Sequence, residues 1–102
     1  MKIPQYLACD IVESMKKIIN QDINYIDTDG MIIASTNKNR VGTFHGGAKR
    51  VLTTKSELII SFDDQYEGTK QGINLPVFFQ NDIVGVIGIT GSEEQDRKST
   101  RL

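Results

Sequence analysis

The 102 residues allow one domain with a single core and exclude two. Hydrophobic residues at 38% and charged ones at 25% exclude a disordered or collagenous chain, and a net charge of -1 from twelve cations and thirteen anions leaves no basic surface for DNA. The one cysteine, Cys9, excludes an internal disulfide and a cysteine-rich zinc site and suits a reducing cytoplasm, while no apolar run reaches the roughly 18 residues of a membrane span.

The N-terminus, broken by Asp10 and Glu13, does not read as a secretory signal. From Gln5 to Asn20, Leu7, Ala8, Ile11, Val12, Met15, Ile18 and Ile19 recur at three- and four-residue spacing, which predicts an amphipathic helix. Asp29-Gly30 then separates two Ile-rich runs and predicts a hairpin with strands near Ile23 to Asp27 and Met31 to Ser35. Thr36 to Arg40 is a polar loop. Thr43 can cap a short helix in which Phe44, Ala48, Val51 and Leu52 repeat, ending near Thr54, although Gly46 and Gly47 weaken it.

A strand at Glu57 to Phe62 precedes the polar connection DDQYEGTKQG, long enough to carry function. INLPVFF and IVGVIGIT flank Gln80-Asn81-Asp82 as a second hairpin, with Pro76 confined to an edge, a bulge or a non-bonded position. Gly85 and Gly88 inside the last strand let another backbone, a helix or a ligand come close. Phe78 and Phe79, adjacent in a strand, are expected on opposite faces, one of them free for a partner. Ser92-Glu93-Glu94-Gln95 has the capping-box pattern and starts a helix that the chain cuts short. The order predicts an α+β domain with a five-stranded antiparallel sheet and flanking N- and C-terminal helices.

Two segments carry binding chemistry. In RVGTFHGGA, Arg40 offers a bidentate clamp, and His45 and Thr43 stand at a helix start where the amides of Phe44 to Gly46 would be free to meet a carboxylate. In KQGINLP, Lys70 and Gln71 supply donors, Gly72 permits backbone approach, and Asn74 offers a donor and an acceptor. Catalysis is not expected: one His and one Cys stand far apart, without an orienting group. Asp63, Asp64 and Glu67 read as a solvated face rather than a metal site, and GITGS lacks the spacing of a phosphate loop, so no metal or cofactor is expected.

LACDIVESMKKIINQDINYIDTDGMIIAS, RVGTFHGGA and above all KQGINLPVFFQNDIVGVIGITG resemble the sugar-diacid recognition domain of bacterial carbohydrate diacid regulators, over about Leu7 to Arg97. The resemblance implies a PAS-like or Cache-like sensor that recognises hydroxylated carboxylates such as glucarate, galactarate or glycerate to control transcription. Residues 1–102 would then be the N-terminal sensor of a longer regulator whose helix-turn-helix, outside this chain, binds DNA. A hydroxy acid asks for carboxylate donors, which Arg40, His45 and the helix start supply, and for hydroxyl partners among Asn74, Gln71, Thr43 and Ser35, with Gly46 and Gly72 giving backbone access. At Gly46 the chain departs from the family it resembles, which usually carries Glu after this His. The expected arrangement has RVGTFHGGA arching over the sheet so that Arg40 and His45 meet KQGIN across one pocket. A homodimer that changes its helix contacts on binding is the expected output. The alternative is a dimerisation module without a ligand, which Arg40 and His45 turned outward would favour.

Overall fold

A computed structural model describes residues 1–91, and the helix expected from Ser92 lies outside the described residues. The elements are α1 (Gln5–Ile18), β1 (Ile23–Ile26), β2 (Ile32–Ser35), a 3-10 turn (Lys38–Arg40), α2 (Gly46–Thr54), β3 (Leu58–Ile60), β4 (Gly72–Phe79) and β5 (Asp82–Thr90). Helix α1 starts without a side-chain cap; the Pro4 carbonyl accepts from the amides of Leu7 and Ala8 at 3.1 and 3.2 Å. Lys16 and Lys17 lie in its last turn, where cations complement the helix dipole. It stops before the expected Asn20 because Ile19 turns extended, and Ile18, expected on the apolar face, is instead 75% exposed. Ala8 and Val12 bury the helix against Ile23, Tyr25 and Ala34, with Cys9 packed at the margin.

The sheet is antiparallel throughout, in the order β2-β1-β5-β4-β3. Strand alternation sends Ile23 and Tyr25 to the α1 face and Asn24 and Ile26 to the other, where Ile26, Ile32 and Val86 pack on Ala48 and Val51 of α2. The β1–β2 turn carries Gly30 at φ 85, and one carboxylate oxygen of Asp27 accepts from the amides of Asp29 and Met31 at 2.9 and 3.0 Å. Replacing both bonds by nothing in Asp27→Ala should cost about 1–3 kcal/mol, read as a lower midpoint in urea at unchanged slope.

Pro76 is tolerated because β3 pairing ends at Asn74, so Pro76 lies on a stretch of β4 with no strand on that side. The β4–β5 register shifts between Val77 and Phe78. Val84 of β5 is the extra residue there, and Phe78 and Phe79, each about half exposed, border an apolar groove of about 350 Å³ together with Leu7, Ile11, Tyr25 and Val84. Gly85 makes room for the Tyr25 ring and Gly88 for two asparagine amides, so side chains rather than a backbone fill those gaps.

The start of α2 also differs from expectation. Residues 43–45 are extended along β2, where Ile32 N–H donates to the Thr43 carbonyl at 2.9 Å and His45 N–H to the Gly30 carbonyl at 2.8 Å. An extended Phe44 cannot be helical, so Thr43 is not the cap. His45 is: its Nδ1 accepts from Ala48 N–H at 3.1 Å. At the other end Lys55 takes the left-handed conformation, φ 57, that closes many helices.

Candidate functional site

One cross-strand rung on the α2 face is polar. Ser35 lies opposite Asn24, Asn24 opposite Gly88, Gly88 opposite Asn74 and Asn74 opposite Leu58. Ser35, Asn24 and Asn74 are each at most 2% exposed, on the face that also carries the aliphatic cluster of Ile26, Ile32, Ala48, Val51 and Val86. Buried polar groups persist where they have partners. Here Asn37 N–H donates to Ser35 Oγ at 3.0 Å, Ser35 Oγ–H to Asn24 Oδ1 at 2.6 Å, and Asn74 Nδ2 to the Leu58 carbonyl at 3.5 Å.

His45 forms a wall of the same layer. A side chain on Gly47 would meet His45, Ile60 and Leu58 together, which places the imidazole beside β3 and hence beside the strand that carries Asn74. Burial, and then the Arg40 charge, push its pKa down to about 4, so the ring is neutral at physiological pH. Because Nδ1 is an acceptor, the single proton must sit on Nε2, which makes His45 a neutral hydrogen-bond donor. His45 Nε2, Asn24 Nδ2 and Asn74 Oδ1 have no protein partner among the described residues, and none of the three is sealed from solvent.

Arg40 closes the layer from the 3-10 turn. Its guanidinium donates to the Gly68 carbonyl at 2.8 Å; burial lowers its pKa, opposed by Asp22, Asp63 and Asp64 around it. The long loop is therefore built onto RVGTFHGGA: Gly46 N–H also donates to the Glu67 carbonyl at 2.7 Å, and Gly68, at φ 71, lies so close to the Phe44 carbonyl that a side chain there would collide. Within the loop, buried Thr69 ties back to Tyr66 and Asp64.

These contacts sort the residues expected from sequence. His45, Asn74 and Ser35 share the buried layer, with Arg40 at its margin. Thr43 faces outward with its hydroxyl donating to the Arg40 carbonyl at 2.6 Å. The amides of His45 and Gly46, expected to be free, serve Gly30 and Glu67, so the start of α2 is not an open anion site. Gly46 gives access to the Glu67 backbone, which lies 3.0 Å from where its side chain would begin. Gly72 is closed off by the Ile89 carbonyl of β5, so the backbone that approaches it is the sheet's own. Gln71 is exposed at the sheet edge, where it and Gly72 line a small cavity of about 100 Å³ with Ile59, Ile60 and Gly91. The arching motif thus meets the loop before KQGIN through Arg40, and the strand neighbours of Asn74 through His45. Asn24 was missed by sequence reasoning; its signal was a polar residue sharing strand parity with Ile26.

The arrangement pairs a cation and a neutral donor with a buried donor and acceptor. Cys9 lies on the opposite face of the sheet from His45, so the two do not form a nucleophile and base. Among the described residues no group of three or more His, Cys, Asp or Glu is placed to hold a metal ion, and no helix is long and apolar enough to cross a membrane.

The sugar diacid recognition family matches residues 3–102. The chain belongs to that family. Among its relatives are the carbohydrate diacid regulator of Escherichia coli, 42% identical over 100 residues covering 94% of this chain, and YsfB of Bacillus subtilis, 41% identical over 93 residues covering 89%. A Haemophilus influenzae protein is 34% identical over 108 residues covering the full chain. The matches take in 26%, 25% and 28% of those proteins, so the chain spans about a quarter of the length of the curated relatives. A sugar diacid recognition domain, in a regulator family, is what the buried polar layer must be understood against.

Proposed function

We propose that this chain is the ligand-sensing, non-enzymatic domain of a cytoplasmic transcriptional regulator. It binds small hydroxy acids or sugar diacids, with glycerate, glucarate and galactarate as candidates, between α2 and the sheet. One observation carries the reading: Arg40, the neutral His45 Nε2–H and the amides of Asn24 and Asn74 gather around one buried layer under a loop fastened at Gly46 and Gly68. A carboxylate takes charge-assisted bonds from Arg40 and a neutral donor bond from His45; hydroxyls take the amides. The family and the E. coli relative's name support the ligand class. The five-stranded antiparallel sheet with a helix on each face supports a PAS-like or Cache-like scaffold. In the intact regulator, binding shifts a helix-mediated homodimer contact and so controls a DNA-binding domain outside this chain.

A thermal-shift titration against the three acids and neutral sugar controls tests this. The acids should raise the melting temperature with dose, adding about 2.7 kcal/mol of stability at a hundredfold excess over Kd, and the sugars should not. Arg40→Ala should weaken the acid at least about tenfold, the loss of one charge-assisted contact; full affinity in that variant contradicts the site.

A second reading, a dimerisation module without a small-molecule ligand, is favoured by the apolar groove and the exposed rings of Phe78 and Phe79 that border it. Under that reading no acid shifts the melting temperature, and the chain sediments as a dimer that Phe79→Ser dissociates.

A further inference from the structure

Two buried amides converge over Gly88, and each is hydrogen-bonded at its other end. Ser35 Oγ accepts from the Asn37 amide and donates to Asn24 Oδ1, which leaves Asn24 Nδ2 as the end nearer Gly88 of β5. Asn74 Nδ2 is turned to the Leu58 carbonyl on β3, and that leaves Oδ1 as the end over Gly88. From the point where a Gly88 side chain would begin, Asn74 Oδ1 is 2.8 Å away and Asn24 Nδ2 3.8 Å, with Ile26 Cδ1 at 3.6 Å. The two amides are not bonded to each other, and both are nine-tenths buried or more. One donor and one acceptor therefore face a common point in an apolar layer. An alcohol is the group that answers both at once, its oxygen accepting and its proton donating. A carboxylate or ketone oxygen can only accept, and would meet Asn74 Oδ1 lone pair to lone pair; a methylene would leave both amides unsatisfied, at about 1–3 kcal/mol.

We propose that Asn24 and Asn74 together read a hydroxyl of the bound acid over Gly88, the one on the carbon next to the carboxylate held by His45 and Arg40. The proposal rests on the acid-binding reading above and adds to it a selectivity: the site demands a 2-hydroxy acid and rejects the 2-deoxy and 2-keto forms.

Isothermal titration of the unmodified chain with glycerate, 3-hydroxypropionate and hydroxypyruvate separates the possibilities, since the three differ only in what stands on the second carbon. Glycerate should bind about 100-fold tighter than either of the others, the loss expected when buried amides are left unsatisfied. Asn74→Leu, of similar size, should bring glycerate down to the level of 3-hydroxypropionate and leave the latter within about twofold, whereas a merely structural Asn74 would weaken both alike. Gly88→Ala should give the same pattern, because Asn74 Oδ1 is the end of a side chain that can yield to a methyl. Equal binding of all three acids overturns the hydroxyl reading and leaves the acid site standing. Glycerate failing while glucarate still shifts the melting temperature also overturns it alone; no binding by any acid removes both.

Discussion

Gly85→Ala lowers the melting temperature by about 10–20 °C. The side chain it adds would stand 2.5 Å from Tyr25 Cζ and 2.7 Å from Cε1, inside any tolerable contact, and Tyr25 is fully buried between α1 and the sheet. The ring cannot move without breaking the bond from its hydroxyl to the Val84 carbonyl, at 3.1 Å. Burial, reinforced by Asp27, pushes the phenol up to about 12, so it stays a neutral donor. Overpacking costs about 1–3 kcal/mol and the lost hydrogen bond about 1 more, which for a domain of this size corresponds to the shift given. Tyr25→Phe, which removes the hydroxyl at the point of collision, should restore part of the loss in the double variant. An unchanged melting temperature for Gly85→Ala would mean that Tyr25 is not packed on β5 as described.

Acid destabilises the protein through His45. The folded-state pKa, about 4, lies below the ordinary 6.5, so between those values the unfolded chain binds a proton that the native protein refuses. Stability from this group is complete above about pH 6.5, falls as the pH drops, and levels off below about pH 4, for a total of about 3 kcal/mol. His45→Asn keeps an oxygen acceptor for the Ala48 amide, since Asn is a good helix cap, and removes the titrating ring. Urea unfolding at a series of pH values should show the slope between pH 6.5 and 4 in the native sequence and a shallower one in His45→Asn. Equal slopes would contradict a neutral, buried His45. The same neutrality predicts that acid binding varies little between about pH 6 and 8.

The parts of the fold that depend on neighbours in sequence were legible there. Leu7 to Met15 repeat at helical spacing and give α1, and both hairpins sit where Gly30 and Gln80-Asn81 interrupt apolar runs. What failed depends on residues far away. Thr43 has every local qualification for a helix cap, but Phe44 bridges Met31 and holds the chain extended for three residues more, which passes the role to His45. The site divides the same way. Arg40, His45 and Asn74 stood out by residue type, whereas Asn24 acquires its meaning only from Gly88 on the next strand and Asn74 on the strand beyond it, along the same rung.

A carboxylate ligand that enters the layer between α2 and the sheet must perturb the side chains there. Nitrogen-15 NMR of the side chains, recorded with and without the acid that gives the largest thermal shift, tests it directly. The account predicts that the amide signals of Asn24 and Asn74, the Nε2 of His45 and the guanidinium of Arg40 move together on titration, while the groove at Leu7, Phe78 and Phe79 stays still. Perturbation confined to that groove, with the His45 and Asn74 signals unmoved, would contradict it.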